Sequence, residues 1–150
     1  MSIPVQVKAA LDSADCAGGV TEELIRSTEE RYDLVFSTEY RFFLRRYGAA
    51  LLPGFEVYGL IESRISDGPP VWTDLRNVLR NLADNKIPLE LIPISDDGGD
   101  YKFYMKSNAD AVVIYGPGLD GDQVARGFFE FLGHAMTKGI ASLVRAVDKS

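Results

Sequence analysis

STEYRFFLRRYGAALLPGFEVYGL, residues 37–60, decides the fold class of this chain. Ser37 or Thr38 can cap a helix with its side-chain oxygen. Phe36, Tyr40, Phe43, Leu44 and Tyr47 then recur at three- and four-residue spacing. On a helix that spacing gathers them onto one face, so the stripe reads as core rather than as a ligand box. Arg41, Arg45 and Arg46 fall off the stripe and read as a solvated, salt-bridged face balanced by Glu39 and neighbouring acids. Gly48 ends the helix, and Pro53 and Gly54 turn the chain. The period then changes to two. Phe55, Val57 and Ile61 share one face with Gly59, while Glu56, Tyr58, Leu60 and Glu62 share the other. That alternation is a strand with one core face and one mixed face. Gly59 permits a bulge or a close approach by another backbone.

Toward the N-terminus, TEELIRSTEERY, residues 21–32, predicts a further helix. Thr21 caps it, and Glu22 and Glu23 sit at the positive end of its dipole. Leu24, Ile25, Thr28 and Tyr32 give it a partly apolar face. Residues 17–20 read as a break, and residues 1–11 as a loose strand or a short helix. Toward the C-terminus, residues 67–70 predict a turn and residues 71–83 a third helix, with Trp72, Leu75, Leu79 and Leu82 on its apolar face. Trp72 reads there as structural.

The remainder predicts an antiparallel meander. Residues 87–95 contain a strand, DDGGD at 96–100 a hairpin connection, YKFYMK at 101–106 a strand, and AVVIY at 111–115 a more uniformly apolar one. GPGLDGD, residues 116–122, reads as a polar loop in which Asp120 or Asp122 caps the last major helix. That helix buries Val124, Phe128, Phe131, Leu132 and Ala135, and Lys138 and Gly139 suit its end. Residues 140–147 form a terminal helix or an extended tail. The expected class is α+β, with an antiparallel or mixed sheet of about four to six strands packed on helices.

Composition bounds the function. The 150 residues suit one domain, 1–150, and 46% hydrophobic content supplies its core. A net charge of -6 opposes general nucleic-acid binding, which needs a cationic face, and suits steering toward a basic partner. Cys16 is the single cysteine, so no intrachain disulfide or thiolate metal cluster forms, and a cytosolic setting is expected. The N-terminus has no long apolar run behind a basic start, and no stretch approaches the roughly 20 apolar residues of a membrane helix.

Chemistry is sparse. His134, the single histidine, lies off the buried face of its helix, which disfavours a nucleophilic triad and excludes a histidine-rich zinc site. Asp96, Asp97 and Asp100 lack the alternating ligands of a calcium loop, and Gly98 and Gly99 explain the turn without metal. The glycines at 116–121 lack the lysine and hydroxyl of a phosphate loop. No cofactor and no catalytic residue are expected, and a hydrolase using the acidic loops is the least favoured reading. A binding surface is easier to build. Glu56, Tyr58 and Glu62 combine an aromatic with acids, and Asp96, Asp97 and Asp100 add a negative rim if the fold brings them together. Such a face can mimic nucleic acid toward a basic nuclease.

In this order the elements resemble the SMI1/KNR4-like, or SUKH, superfamily. TEELIRSTEERYDLVFSTEYRFFLRRYGA is similar to its two-helix opening, FEVYGL to its next strand, and IPISDDGGDYKFYM, residues 92–105, to its proline–strand–turn–strand segment. The similarity spans residues 20–137. The chain departs from the pattern in having no proline in Leu34–Val35–Phe36–Ser37, in carrying Tyr47–Gly48 for an asparagine–glycine pair, and in a hairpin with two glycines only. The resemblance implies an α+β domain and makes Tyr47, Gly48, Gly59, Pro93 and Gly98 fold determinants. It further implies an immunity protein, most like the small YobK type, that binds a cognate bacterial toxin without catalysis. The alternative is a regulatory adaptor for a cellular protein. Either partner is a protein, and monomer and homodimer both stay open.

Overall fold

The computed structural model describes residues 3–62, 71–82 and 90–147. In chain order these form α1 (Val5–Ser13), β1 (Asp15–Cys16), α2 (Glu22–Tyr32), α3 (Thr38–Arg46), β2 (Ala50–Leu52) and β3 (Phe55–Val57). A 3-10 turn (Val71–Thr73) then leads into α4 (Leu75–Leu82). After it come β4 (Leu91–Asp96), β5 (Lys102–Lys106), β6 (Val112–Gly116), β7 (Leu119–Ala125), α5 (Phe128–Lys138) and α6 (Ile140–Val147). The expected turn at 67–70, the end of the third helix at 83, the side chain of Leu82 and the start of the 87–95 strand lie outside the described residues.

Local chemistry sets the two central helices. Thr21 accepts a hydrogen bond from the Leu24 amide, and Ser37 accepts one from the Tyr40 amide, each at 3.2 Å. Of the two candidate caps, Ser37 is the one used. The aromatic stripe of α3 is core throughout, with Phe36, Tyr40, Phe43, Leu44 and Tyr47 all buried. Its opposite face is ion-paired, with α2 rather than with Glu39: Arg41 bonds Glu29 at 2.6 Å and also bonds Glu22. Residues 5–13 take the helical option at the N-terminus, and residues 140–147 are helical too.

The fold is α+β, its strands divided between two antiparallel sheets ordered β1-β2-β3 and β4-β5-β6-β7. The sheets are joined where the Tyr58 amide donates to the Ile94 carbonyl at 2.9 Å and Ser95 Oγ donates to the Glu56 carbonyl at 2.6 Å. β1 and β2 have only two and three residues, too few to display a period, and sequence reading passes over both. Helices α1, α3, α5 and α6 pack their apolar sides against the inner faces of the sheets, where Ile92, Ile94, Phe103, Met105, Val112 and Ile114 point.

Three expectations are corrected. The segment 116–122 is not a polar loop that caps a helix. Pro117 and Gly118 turn the chain and β7 pairs with β6, Asp120 opposite Tyr115 and Asp122 opposite Ile114. Helix α5 starts only at Phe128, and its Phe129 amide is capped at 3.0 Å by Glu39 of α3. The strand beginning at Phe55 is short. It ends at Val57, after which alternation fails and Tyr58 and Leu60 are both buried. Trp72 does not join the core; it is 60% exposed on the 3-10 turn.

Two buried phenols make a controlled pair. Tyr40 donates to the Tyr58 carbonyl at 2.7 Å, whereas the Tyr104 hydroxyl is buried without a hydrogen-bond partner. Tyr104 lies on the outer face of the larger sheet against Leu91, Val113 and Tyr115. Burial, then Tyr115 and Asp96, pushes its pKa up to about 12. Removing an unpaired buried hydroxyl removes a desolvation penalty, while removing a paired one orphans its acceptor. Tyr104→Phe is therefore expected to be neutral or stabilising by up to about 1 kcal/mol, and Tyr40→Phe to cost about 1–3 kcal/mol. Urea unfolding measures both; equal losses would refute the contrast.

Candidate functional site

β3 turns Phe55 and Val57 inward, which leaves Glu56 half-buried and facing out. Its neighbour Tyr58 is held against β4 and directs its hydroxyl onto Asp96. Tyr58 is only 5% exposed. Burial and then the Asp96 carboxylate raise its pKa far above the usual phenol range, so it is a neutral donor. It braces Asp96 and offers no ring to solvent. Asp96 also accepts from the Gly98 amide at 2.9 Å, and Lys102 Nζ stands 3.9 Å from it. Asp97 accepts from the amides of Gly99 at 2.8 Å and Tyr101 at 3.2 Å. These side-chain-to-backbone bonds close the β4–β5 turn. Asp100 is exposed at the end of that turn.

The exposed aromatic on this face is Trp72. Its indole Nε1 lies 3.3 and 3.2 Å from the two carboxylate oxygens of Glu56. One edge of the indole is thus tethered while most of the ring meets water. Leu52 and Phe55 wall a shallow cleft of about 240 Å³ that Glu56 and Asp96 also line. Apolar walls, a fixed indole and outward carboxylates form a surface that can bury aliphatic stems and pair with cationic heads.

The fold therefore unites Glu56, Tyr58 and Asp96, with Asp97 and Asp100 continuing along the same hairpin. Glu62 stands apart from them. Its carboxylate accepts from the Thr21 amide at 2.8 Å and from Thr21 Oγ1 at 3.1 Å, closing the start of α2, and it lines a different cleft. Trp72 is the residue that sequence reading misplaced. Asp74 was the available signal: it is a favoured helix-cap residue, its carboxylate accepts from the Arg76 amide at 2.9 Å, and it starts α4 after Trp72 rather than before it.

Elsewhere, His134 is half-buried, with its Nε2 3.9 Å from Glu130 of its own helix. No cluster of three or more histidine, cysteine or acidic residues among the described residues could hold a metal ion. No described helix is long and apolar enough to cross a membrane.

A family model described as SUKH_6, SMI1-KNR4 cell-wall, matches residues 22–132. The fold is similar to a crystal structure of a protein from Pseudomonas syringae pv. tomato. The TM-score is 0.63 at 15% identity, over 87% of this chain and 93% of that one. No curated protein matches the chain.

Proposed function

The chain belongs to the SUKH_6 family, SMI1-KNR4 cell-wall, and on that premise we propose that it is an immunity protein that binds and neutralises a cognate bacterial toxin. The carrying observation is Trp72, 60% exposed and tethered to Glu56 beside the acidic β4–β5 hairpin. Hot spots are rich in tryptophan, and this indole is held in place beside carboxylates by Glu56. The carboxylates around it select a basic partner surface, since complementary charge steers encounter and sets register. A nuclease presents such a surface where it grips phosphates, and the small YobK type is the subfamily that this reading favours. The chain acts as one domain in the cytoplasm. Inhibition proceeds by covering the toxin's substrate site and needs no cofactor and no catalytic residue.

The test is capture of partners from native cytosol with the tagged chain, identification by mass spectrometry, and direct binding to the partner found. A stoichiometric toxin that is silenced on binding supports the proposal; a non-toxin regulator turns the reading to an adaptor. With the toxin in hand, Trp72→Ala is expected to weaken binding by about 2 kcal/mol or more, roughly 30-fold, without lowering the unfolding midpoint. Asp100→Asn should slow association most at low salt, because an exposed rim charge acts mainly on the encounter rate. Glu62→Gln should change neither. Unaltered affinity in both Trp72→Ala and Asp100→Asn would remove this face from the interface.

A further inference from the structure

A second cleft, of about 510 Å³, opens between the end of α2, the chain after Leu60 and the start of α4. That volume lies within the range of small-ligand sites, about 300–1,000 Å³. Among the described residues its charged lining is Arg31, Glu62, Asp74, Arg76 and Arg80. Both carboxylates are already committed. Asp74, 7% exposed, accepts from the amides of Ile61 at 3.2 Å and Arg76 at 2.9 Å, and from Arg76 Nε at 3.0 Å and Nη2 at 2.7 Å. Glu62 is held by Thr21. Arg76 is committed too, because its Nη2 also donates to the Ile61 carbonyl at 3.0 Å.

Two guanidiniums remain. Arg31 sits over the Tyr32 ring, 5.7 Å from its centroid, and Arg80 reaches Asn77 and, at 3.4 Å, the Arg76 carbonyl. Neither has a carboxylate partner among the described residues. The uncommitted charge of the described lining is thus cationic in a chain whose net charge is -6. Neutralising partners are abundant in such a chain, yet none of the described ones is spent on Arg31 or Arg80. The Asp74–Arg76 fork fixes one part of the lining, and Arg31 and Arg80, both exposed, line the same cleft.

We infer that this cleft is an oxyanion site that takes the phosphate or carboxylate group of a small ligand between Arg31 and Arg80. Planar guanidiniums match two-oxygen acceptors, and Arg31 is placed at the cleft by its stacking over Tyr32. The site is independent of the toxin-binding face; the two clefts share no lining residue.

The experiment titrates the full chain with sodium phosphate and, separately, sodium succinate at matched ionic strength, followed by amide-resolved NMR. Saturable shifts at Ile61, Glu62 and Asn77 are expected with at least one anion, and which anion saturates identifies the ligand chemistry. The Arg31→Gln/Arg80→Gln double variant should bind at least about tenfold more weakly, and Arg45→Gln, on α3, should bind unchanged. Arg80→Lys keeps the charge but loses the fork, so a smaller weakening is expected, and it serves if the double variant misfolds. Saturation with neither anion, or the same affinity in the double variant or in Arg80→Lys as in the parent, would overturn the site.

Discussion

Gly59→Ala is expected to lower stability by about 4 kcal/mol or more, the scale of a severe steric conflict at the backbone. A Cβ at this position would lie 1.6 Å from the Gly48 carbonyl oxygen and 2.7 Å from its carbon. Neither strand of the seam can retreat. The Leu60 amide donates to that same Gly48 oxygen at 3.0 Å. Gly59 itself donates to the Thr73 carbonyl at 3.0 Å and accepts from the Leu75 amide at 2.6 Å. Gly48 is further constrained by its φ of 76°, which places it in the left-handed region at the end of α3. Parting the two backbones would break hydrogen bonds that tie α3, β3 and α4 together. Urea unfolding should show a lower midpoint with an unchanged slope. Gly54→Ala is the control: its φ of 87° is left-handed, unlike that of Gly59, but a Cβ there meets open space, so backbone strain alone should cost about 1–2 kcal/mol. Equal losses in the two variants would mean that the Gly59–Gly48 contact is soft.

Phe128→Ala should cost about 3–5 kcal/mol, the range for emptying a buried aromatic site. The ring is fully buried and stands 5.2 Å from both Tyr40 and Phe43 and 5.7 Å from Phe129. Those neighbours belong to α3 and α5, so the cavity would open between the two helices that organise the core. Tyr40 is pinned by its own hydrogen bond to Tyr58, which limits how far the cavity can collapse. Phe128→Leu retains most of the volume and should cost distinctly less. Denaturant unfolding of the three proteins tests the order; a loss below about 1 kcal/mol for Phe128→Ala would mean that the surrounding rings repack freely.

Not every part of the proposed binding face can be changed without loss of fold. Asp96 holds Tyr58 and the turn, and Asp97 closes the turn, so changing either confounds affinity with structure. Trp72 and Asp100 are exposed, which makes them the cleaner probes.

Sequence by itself determined α2, α3 and the outline of the meander, and it narrowed Gly59 to a bulge or a close backbone approach. Each rests on local physics: a hydroxyl cap, a sustained helical period, an alternating run, or a glycine where a side chain will not fit. The family pattern was legible for the same reason, since it is an order of such elements. Tertiary structure decided the rest. Asp120 and Asp122 are poor strand residues, yet pairing with β6 makes β7 of them and moves the start of α5 to Phe128. β1 and β2 exist only because each finds a partner. Glu62 shares a period with Glu56, but the strand ends at Val57 and Thr21 captures its carboxylate. Trp72 follows the apolar spacing of α4, but the 3-10 turn rotates it onto Glu56 and into water. Periodicity reports which side of an element is apolar. Which elements meet, and which charges then neutralise one another, depends on contacts between residues far apart in the chain.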